Sequence, residues 1–301
     1  MKISGFSFAR NADVLGYPIA QSIRSVLPIC DEFIIAIGKG DAGDRTHEIV
    51  SEIGSPKIRT IDTEWTDRDR LKELVYSQQT NIALRACTGD WCFYIQADEV
   101  IHEKYLDSIA ARCNTFLKAK EIDGLLFGYT HFWGDYDHIQ KGHAWYPYEI
   151  RVVRNSPDIV SVGDAQSFRK NGKKLVVAHA NACMFHYGYV RNPALMQTRN
   201  IEIVTTYLGA QKAKMYYKKD QTVFDFGPLN KCAIFKETHP AVLTKRIEEI
   251  NWKHLLRYDG PVITRHHHDK LKYRFLTWIE KNMLGGRQIG GYKNYILQKN
   301  I

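Results

Sequence analysis

Four strand-sized apolar segments stand in the first hundred residues, and stretches of helical spacing separate them; this alternation fixes the class of fold open to the chain. Lys2 to Ala9 places apolar residues at Ile3, Phe6 and Phe8, and Glu32 to Gly38 is a near-continuous apolar run, the pattern of a strand covered on both faces. Lys57 to Asp62 and Trp91 to Ile95 complete the set. Val14, Leu15, Ile19, Ile23 and Val26 recur at helical intervals until Pro28, and Arg45 to Ile53 and Arg70 to Cys87 predict further helices. Such alternation predicts an α/β fold with a mostly parallel, Rossmann-like sheet flanked by helices. Right-handed crossovers leave few topologies for it.

Beyond a predicted helix at Tyr105 to Ala119 the pattern changes. Gly124 to Thr130, Glu149 to Arg154 and Leu175 to His186 predict strands of mixed direction, and the segment Phe132 to Pro147 between them is rich in Trp, Tyr, His and Gly. Helices are expected at Pro193 to Lys218, Pro240 to Leu256 and Leu271 to Asn282. The division predicted is a catalytic α/β unit over 1–210 and a helical, basic extension over 211–301. Charge follows that division: Gln211 to Ile301 holds 18 Lys and Arg against 8 Asp and Glu, a net of +10 in a chain of +9, so the first 210 residues carry about −1. The basic third reads either as a solvated helical surface or as a surface for anionic lipid headgroups or an anionic lipid-linked acceptor. No nucleic-acid-binding motif accompanies it, so nucleic acid is not an expected partner.

Aromatic content of 12% argues against disorder. No run reaches the length that spans a bilayer, and Met1 to Gly5 lacks a basic region followed by an apolar core. The expected location is cytoplasmic, with peripheral contact at the inner face of the membrane. The six cysteines form no C-x-x-C pair, which favours free thiols and argues against zinc. His266, His267 and His268 read as a loop or helix start, because adjacent side chains diverge.

The stretch Gly89-Asp90-Trp91-Cys92-Phe93-Tyr94-Ile95-Gln96-Ala97-Asp98-Glu99 carries the chemistry. A buried strand runs into two carboxylates, and ligands of open α/β sheets bind at the carboxyl ends of strands. Carboxylates there can hold a hard divalent cation that neutralises a diphosphate, although Asp-Glu can also cap a following helix. Glu99 either joins Asp98 as a ligand or faces elsewhere, since neighbours on extended chain diverge. The ends of the first two strands, Phe8, Ala9, Arg10 and Asn11, and then Gly38 to Asp44, form the expected nucleotide cradle. Arg191 offers a planar fork to a diphosphate. Trp133, Tyr136, Trp145, Tyr146 and Tyr148 suit either sugar stacking or core packing.

With Asn81, Ala83, Ala86, Gly89, Asp90, Trp91, a strand and then Gln96-Ala97-Asp98, the chain resembles the Asp-X-Asp region of glycosyltransferase family 2, the inverting transferases of GT-A fold. The likeness covers residues 1 to about 190. It departs at Gln96, where the family has its first acid. The resemblance implies a nucleotide-sugar donor (UDP- or GDP-linked), a glycan or lipid-linked acceptor, Mn²⁺ or Mg²⁺, and a role in bacterial cell-surface polysaccharide or lipopolysaccharide assembly. It places Asp41 or Asp44 and Asn81 with Gln96 near the donor, Asp98 and a distal histidine, His186, on the metal, and the general base at Asp164. His179 is the decoy histidine. Glu149 is the alternative base, with a pairing to Arg151 or Arg154 expected instead. Two other readings remain: a sugar-phosphate nucleotidyltransferase, for which Met1 to Val14 lacks the phosphate loop, and a lipid- or nucleic-acid-binding protein with a degenerate transferase domain.

Overall fold

The computed structural model describes residues 1–65, 74–209, 222–290 and 293–298, together with 211, 213 and 215. Its strands are β1 (Ile3–Ala9), β2 (Glu32–Gly38), β3 (Ile58–Thr63), β4 (Trp91–Tyr94), β5 (Glu99–Ile101), β6 (Gly124–Gly134), β7 (His138–Gln140), β8 (Tyr148–Arg154), β9 (Ile159–Val162), β10 (Ser167–Lys170), β11 (Lys173–Val190), β12 (Ala233–Ile234) and β13 (Tyr295–Leu297). They join one sheet of spatial order β3-β2-β1-β4-β8-β6-β11-β10-β9. The β3-β2-β1-β4 block is parallel throughout. β8 lies antiparallel between β4 and β6, and β6 and β11 run parallel. The expected mixed α/β architecture, mostly parallel and flanked by helices, is therefore present.

The sheet is apolar on both faces because alternate residues of each inner strand serve different cores. Phe33, Ile35 and Ile37 pack with the helices Ile19–Val26 and Leu106–Thr115, whereas Ile34 and Ala36 pack with Ala83 and Leu84 of the helix Val75–Arg85. This is why Glu32 to Gly38 shows no polar alternation. The parallel block points the ends of β1, β2 and β4 to one edge, where the functional side chains gather.

Several boundaries differ from the sequence reading. The first helix starts at Ile19 rather than Val14, because Gly16 takes a φ of +67° and Pro18 disfavours a helical residue before it. The segment expected as a helix from Pro240 to Leu256 is a 3₁₀ turn, a short helix Thr244–Glu248 and a second 3₁₀ turn. Glu248 and Glu249 at the helix end oppose its dipole. The start of the predicted Arg70 helix and the end of the Pro193 helix lie outside the described residues; the described portions are Val75–Arg85 and Pro193–Leu208. Past residue 210 the chain returns to the sheet: β12 pairs with β7, and β13 runs parallel to β11. The sheet thus continues across the predicted domain boundary.

One ion pair is sealed inside this architecture. Arg151 on β8 donates Nε to Glu99 Oε2 at 2.9 Å and Nη2 to Oε1 at 2.8 Å, with both side chains at 0% exposure. Removing one partner would strand a buried charge. Arg151→Leu is expected to cost about 3–5 kcal/mol in urea unfolding, and the double variant Glu99→Leu/Arg151→Leu to cost less than either single change.

Candidate functional site

A cavity of about 440 Å³ opens at the carboxyl edge of the parallel strands. Phe8, Ala9 and Arg10 bound it from the end of β1, and Gln96, Ala97 and Asp98 from the turn after β4. Trp145 and Tyr146, then Asp164 and Gln166, contribute from two loops, His186 and Tyr189 from β11, and Arg199 and Glu202 from the helix Pro193–Leu208.

The turn after β4 sets the two carboxylates against each other. Glu99 N donates to Gln96 O at 3.0 Å, and Gln96 N donates to Glu99 Oε2 at 3.0 Å. Glu99 therefore points inward to Arg151 and to the Tyr129 hydroxyl, which donates to it at 2.6 Å, and takes no part in the cavity. Asp98 takes the other side, and its carbonyl accepts from Tyr187 N at 2.7 Å, which ties it to β11. Gln96 lines the cavity while its amide donates to Tyr94 Oη at 3.2 Å.

Asp98 Oδ2 stands 3.6 Å from His186 Nε2. The proton arrangement between them follows from a chain of contacts. His131 Nε2 faces the Tyr146 carbonyl at 2.8 Å and must donate to it. Burial, with the His186 charge beside it, lowers the His131 pKa to about 3, so this ring is neutral and its Nδ1 is an acceptor. His186 Nδ1 lies 3.1 Å from that nitrogen and must be the donor. The other ring nitrogen, Nε2, is the one turned to the Asp98 carboxylate. A carboxylate oxygen and an imidazole nitrogen so placed can share a proton carried on Nε2 or hold a cation between them. Gly188 keeps the space open: a β-carbon there would lie 2.6 Å from His186 Nε2 and 2.7 Å from Asp98 Oδ2. An oxygen and an imidazole nitrogen with open remaining positions fit a divalent ion of the Mn²⁺ or Mg²⁺ kind, completed by ligand and water oxygens. Among the described residues no third His, Cys, Asp or Glu joins them. Burial would raise the Asp98 pKa, but His186, Arg199 and Arg191 outweigh it and hold the carboxyl well below its usual range.

Arginines supply the remaining positive charge. Arg199 lines the cavity, stacks 5.3 Å from the Tyr189 ring and donates Nε to Tyr17 Oη at 3.2 Å. Arg191 is buried behind it over Tyr17, with Nη1 on the Leu15 carbonyl, while its Nε and Nη2 have no partner among the described residues. Arg10 crosses the rim and donates to Glu202 Oε1 at 2.9 Å and to Asp41 Oδ1 at 2.6 Å. Asn11, at a φ of +56°, binds Asp41 through both ends of its amide. Asp41 thus braces Arg10 and Asn11 from outside and does not line the cavity. Phe8 stacks on Tyr76 with ring centroids 5.5 Å apart, and Trp65 meets both rings, which gives the cavity an aromatic wall.

Asp164 sits in the lining, between Gly163 and Ala165, both in left-handed conformations with φ of 59° and 62°. Glu149 does not line it. The pairing expected for Glu149 is also absent: Arg151 is committed to Glu99, and Arg154 donates to carbonyls at the end of the helix Leu106–Thr115. Glu149 Oε2 is buried without a partner, and burial pushes its pKa up to about 7. Asn81 is likewise outside the cavity, its amide exchanging hydrogen bonds with Ser161 N and O at 2.8 and 3.0 Å. His179 lies with Tyr148, away from the site, and Trp133 and Tyr136 are core residues. Sequence reasoning missed His131, Arg199, Glu202, Trp65 and Tyr76. His131 was findable only through its register opposite His186 on the neighbouring strand.

No protein family and no curated protein matches the chain. Solved structures do. The 1–349 fragment of TarS from S. aureus, crystallised with UDP, is 15% identical at a TM-score of 0.40 over 68% of this chain and 65% of that one. A further S. aureus TarS structure gives 12% and 0.38 over 71% of this chain and 41% of that one. Glucosyl-3-phosphoglycerate synthase from Mycobacterium tuberculosis, with Mn²⁺, UDP and phosphoglyceric acid, gives 18% and 0.29 over 43% of each chain.

Gly188→Ala is expected to abolish Mn²⁺ binding, read by paramagnetic resonance, because the added β-carbon must push His186 or Asp98 aside although both residues are still present. A second outcome concerns Glu149. Its pKa is about 7 in the fold against an ordinary 4.5, so the folded state holds its proton more tightly and loses stability as pH rises between those values. Glu149→Gln should therefore melt higher than the wild type at pH 8 and equally at pH 4.

Proposed function

We propose that this chain is an inverting glycosyltransferase that moves a sugar from a UDP- or GDP-linked donor to a hydroxyl of a glycan or lipid-linked acceptor, in bacterial cell-surface polysaccharide or lipopolysaccharide assembly. The observation that carries this reading is the placement of His186 Nε2 3.6 Å from Asp98 Oδ2, beside space that Gly188 leaves free, at the carboxyl edge of a parallel sheet. That pair would hold a divalent cation, which supplies charge neutralisation to a diphosphate.

The rest of the work falls to the chain's own side chains. The Phe8, Tyr76 and Trp65 wall offers a face for the nucleotide base. Arg199 and Arg10 stand where they can meet the phosphates, Arg10 after exchanging Glu202 for the donor. Asp164 takes the proton of the acceptor hydroxyl as its oxygen bonds to the anomeric carbon. The bond from that carbon to the diphosphate oxygen breaks, and its electron pair leaves with the nucleoside diphosphate. Tyr146 and Trp145 cover the reacting centre and exclude water.

Calorimetry with UDP is expected to show Mn²⁺-dependent binding that falls at least about tenfold in Asp98→Asn, a loss of roughly 1.4 kcal/mol or more. Asp164→Asn should keep that affinity while turnover, measured as released nucleoside diphosphate over a panel of nucleotide sugars, drops about 10²–10⁴-fold. Normal turnover in Asp164→Asn beside a loss in Glu149→Gln would move the base to Glu149. Unchanged UDP affinity in Asp98→Asn would sink the site.

A further inference from the structure

A second and larger cavity, of about 1,340 Å³, shares a wall with the first. Trp145 lines both. On one side its ring lies 4.9 Å from that of His131, the partner of His186; on the other it lies 5.6 Å from His268, which belongs to the second cavity. The two spaces thus adjoin at the reacting end of the first.

The second cavity is strongly basic. Lys141, Lys231, Arg265, Arg274 and Lys281 line it, and none of their side chains has an ion-pair or hydrogen-bond partner among the described residues. The two acids in the lining are already engaged. Glu280 takes His143 Nδ1 at 2.6 Å and Ile289 N at 2.8 Å, and Asp269 accepts from His266 N at 3.1 Å. The cations also converge by design of the helix Leu271–Met283. Arg274, Thr277 and Lys281 share the face that lines the cavity, whereas Leu271, Phe275 and Trp278 occupy an adjoining face that is exposed. Positive charge is directed into a concavity, away from the apolar face that a bilayer surface would meet. Five cations against two carboxylates leave an excess of positive charge that raises the local potential and favours an anion.

We infer that this cavity is the acceptor site and takes an anionic acceptor, a sugar or polyol that carries a phosphate or carboxylate. The inference rests on the donor reading above: the anionic group would stay with the cations of the second cavity while the acceptor's hydroxyl end passes Trp145 into the first, where Asp164 stands. Its volume lies above the range of small-molecule sites, roughly 300–1,000 Å³, and accommodates more than one sugar unit.

The test is calorimetry on the full chain with glucose 6-phosphate, glucose and UDP as probes. Glucose 6-phosphate is expected to bind, to weaken with salt, and to bind equally with UDP and Mn²⁺ present; glucose is expected not to bind. Two separate double variants, Arg274→Ala/Lys281→Ala and Lys231→Ala/Arg265→Ala, should each weaken glucose 6-phosphate at least about tenfold while UDP affinity and melting temperature stay within error. Competition between UDP and glucose 6-phosphate would place both in one cavity and overturn the inference. So would equal binding of glucose, unchanged affinity in both double variants, or binding of phosphatidylglycerol vesicles with none of glucose 6-phosphate, which would assign the cations to a lipid surface. Loss of UDP binding in the wild type with glucose 6-phosphate binding intact would instead defeat the donor reading and leave an anion site.

Discussion

A single guanidinium holds the two halves of the candidate site in register. Arg151 is fully buried between the rings of Tyr94 and Tyr129, at 5.2 and 5.3 Å. Two of its nitrogens fix Glu99 and hence the turn that presents Asp98. The third, Nη1, donates to the Gln166 carbonyl at 3.0 Å, two residues from Asp164. The turn assigned to the cation and the turn assigned to the base are therefore spaced by one rigid, planar group. Glu99 satisfies its lone pairs with Arg151, Tyr129 and the Gln96 amide, so the buried charge is compensated rather than merely tolerated.

The same logic explains which parts of the site could be read in advance. Asp98 stands in the turn after β4, and the end of that strand is visible in an apolar pattern. The parallel block was visible for the same reason. His186 was expected to end its strand, but β11 runs on to Val190 and His186 lies within it. Glu99 was ambiguous because an adjacent acid can turn either way, and only Arg151, fifty-two residues on, decides it. Asp41, expected at the donor, stands outside the cavity with Arg10 as its partner, and the pairing depends on the left-handed Asn11, which no local pattern announces. Glu149 was expected beside an arginine because two follow it within five residues, yet both guanidinium groups go elsewhere.

Arg199 and Glu202 were illegible for a different reason. The helix Pro193–Leu208 reads as an ordinary helix, and its position across the cavity follows from tertiary packing rather than from its own sequence. His131 belongs to this group as well. It is one histidine in a strand, and its meaning comes from a neighbour fifty-five residues away. Residues that act through others leave the weakest trace in a single sequence.

The loop that carries Trp145 is held from far downstream. His143 N donates to Thr277 Oγ1 at 2.9 Å, its ring meets Glu280, and Gln288 donates to the His143 carbonyl at 2.8 Å. The sheet and both of its cores need little of the chain beyond β11, but the wall between the two cavities needs residues 277 to 288. During synthesis the scaffold can thus form on the ribosome while the wall is still loose. The order of emergence therefore puts the wall between the two cavities later than the sheet it stands on, so that the last geometry to be fixed is that of a surface and not of the core.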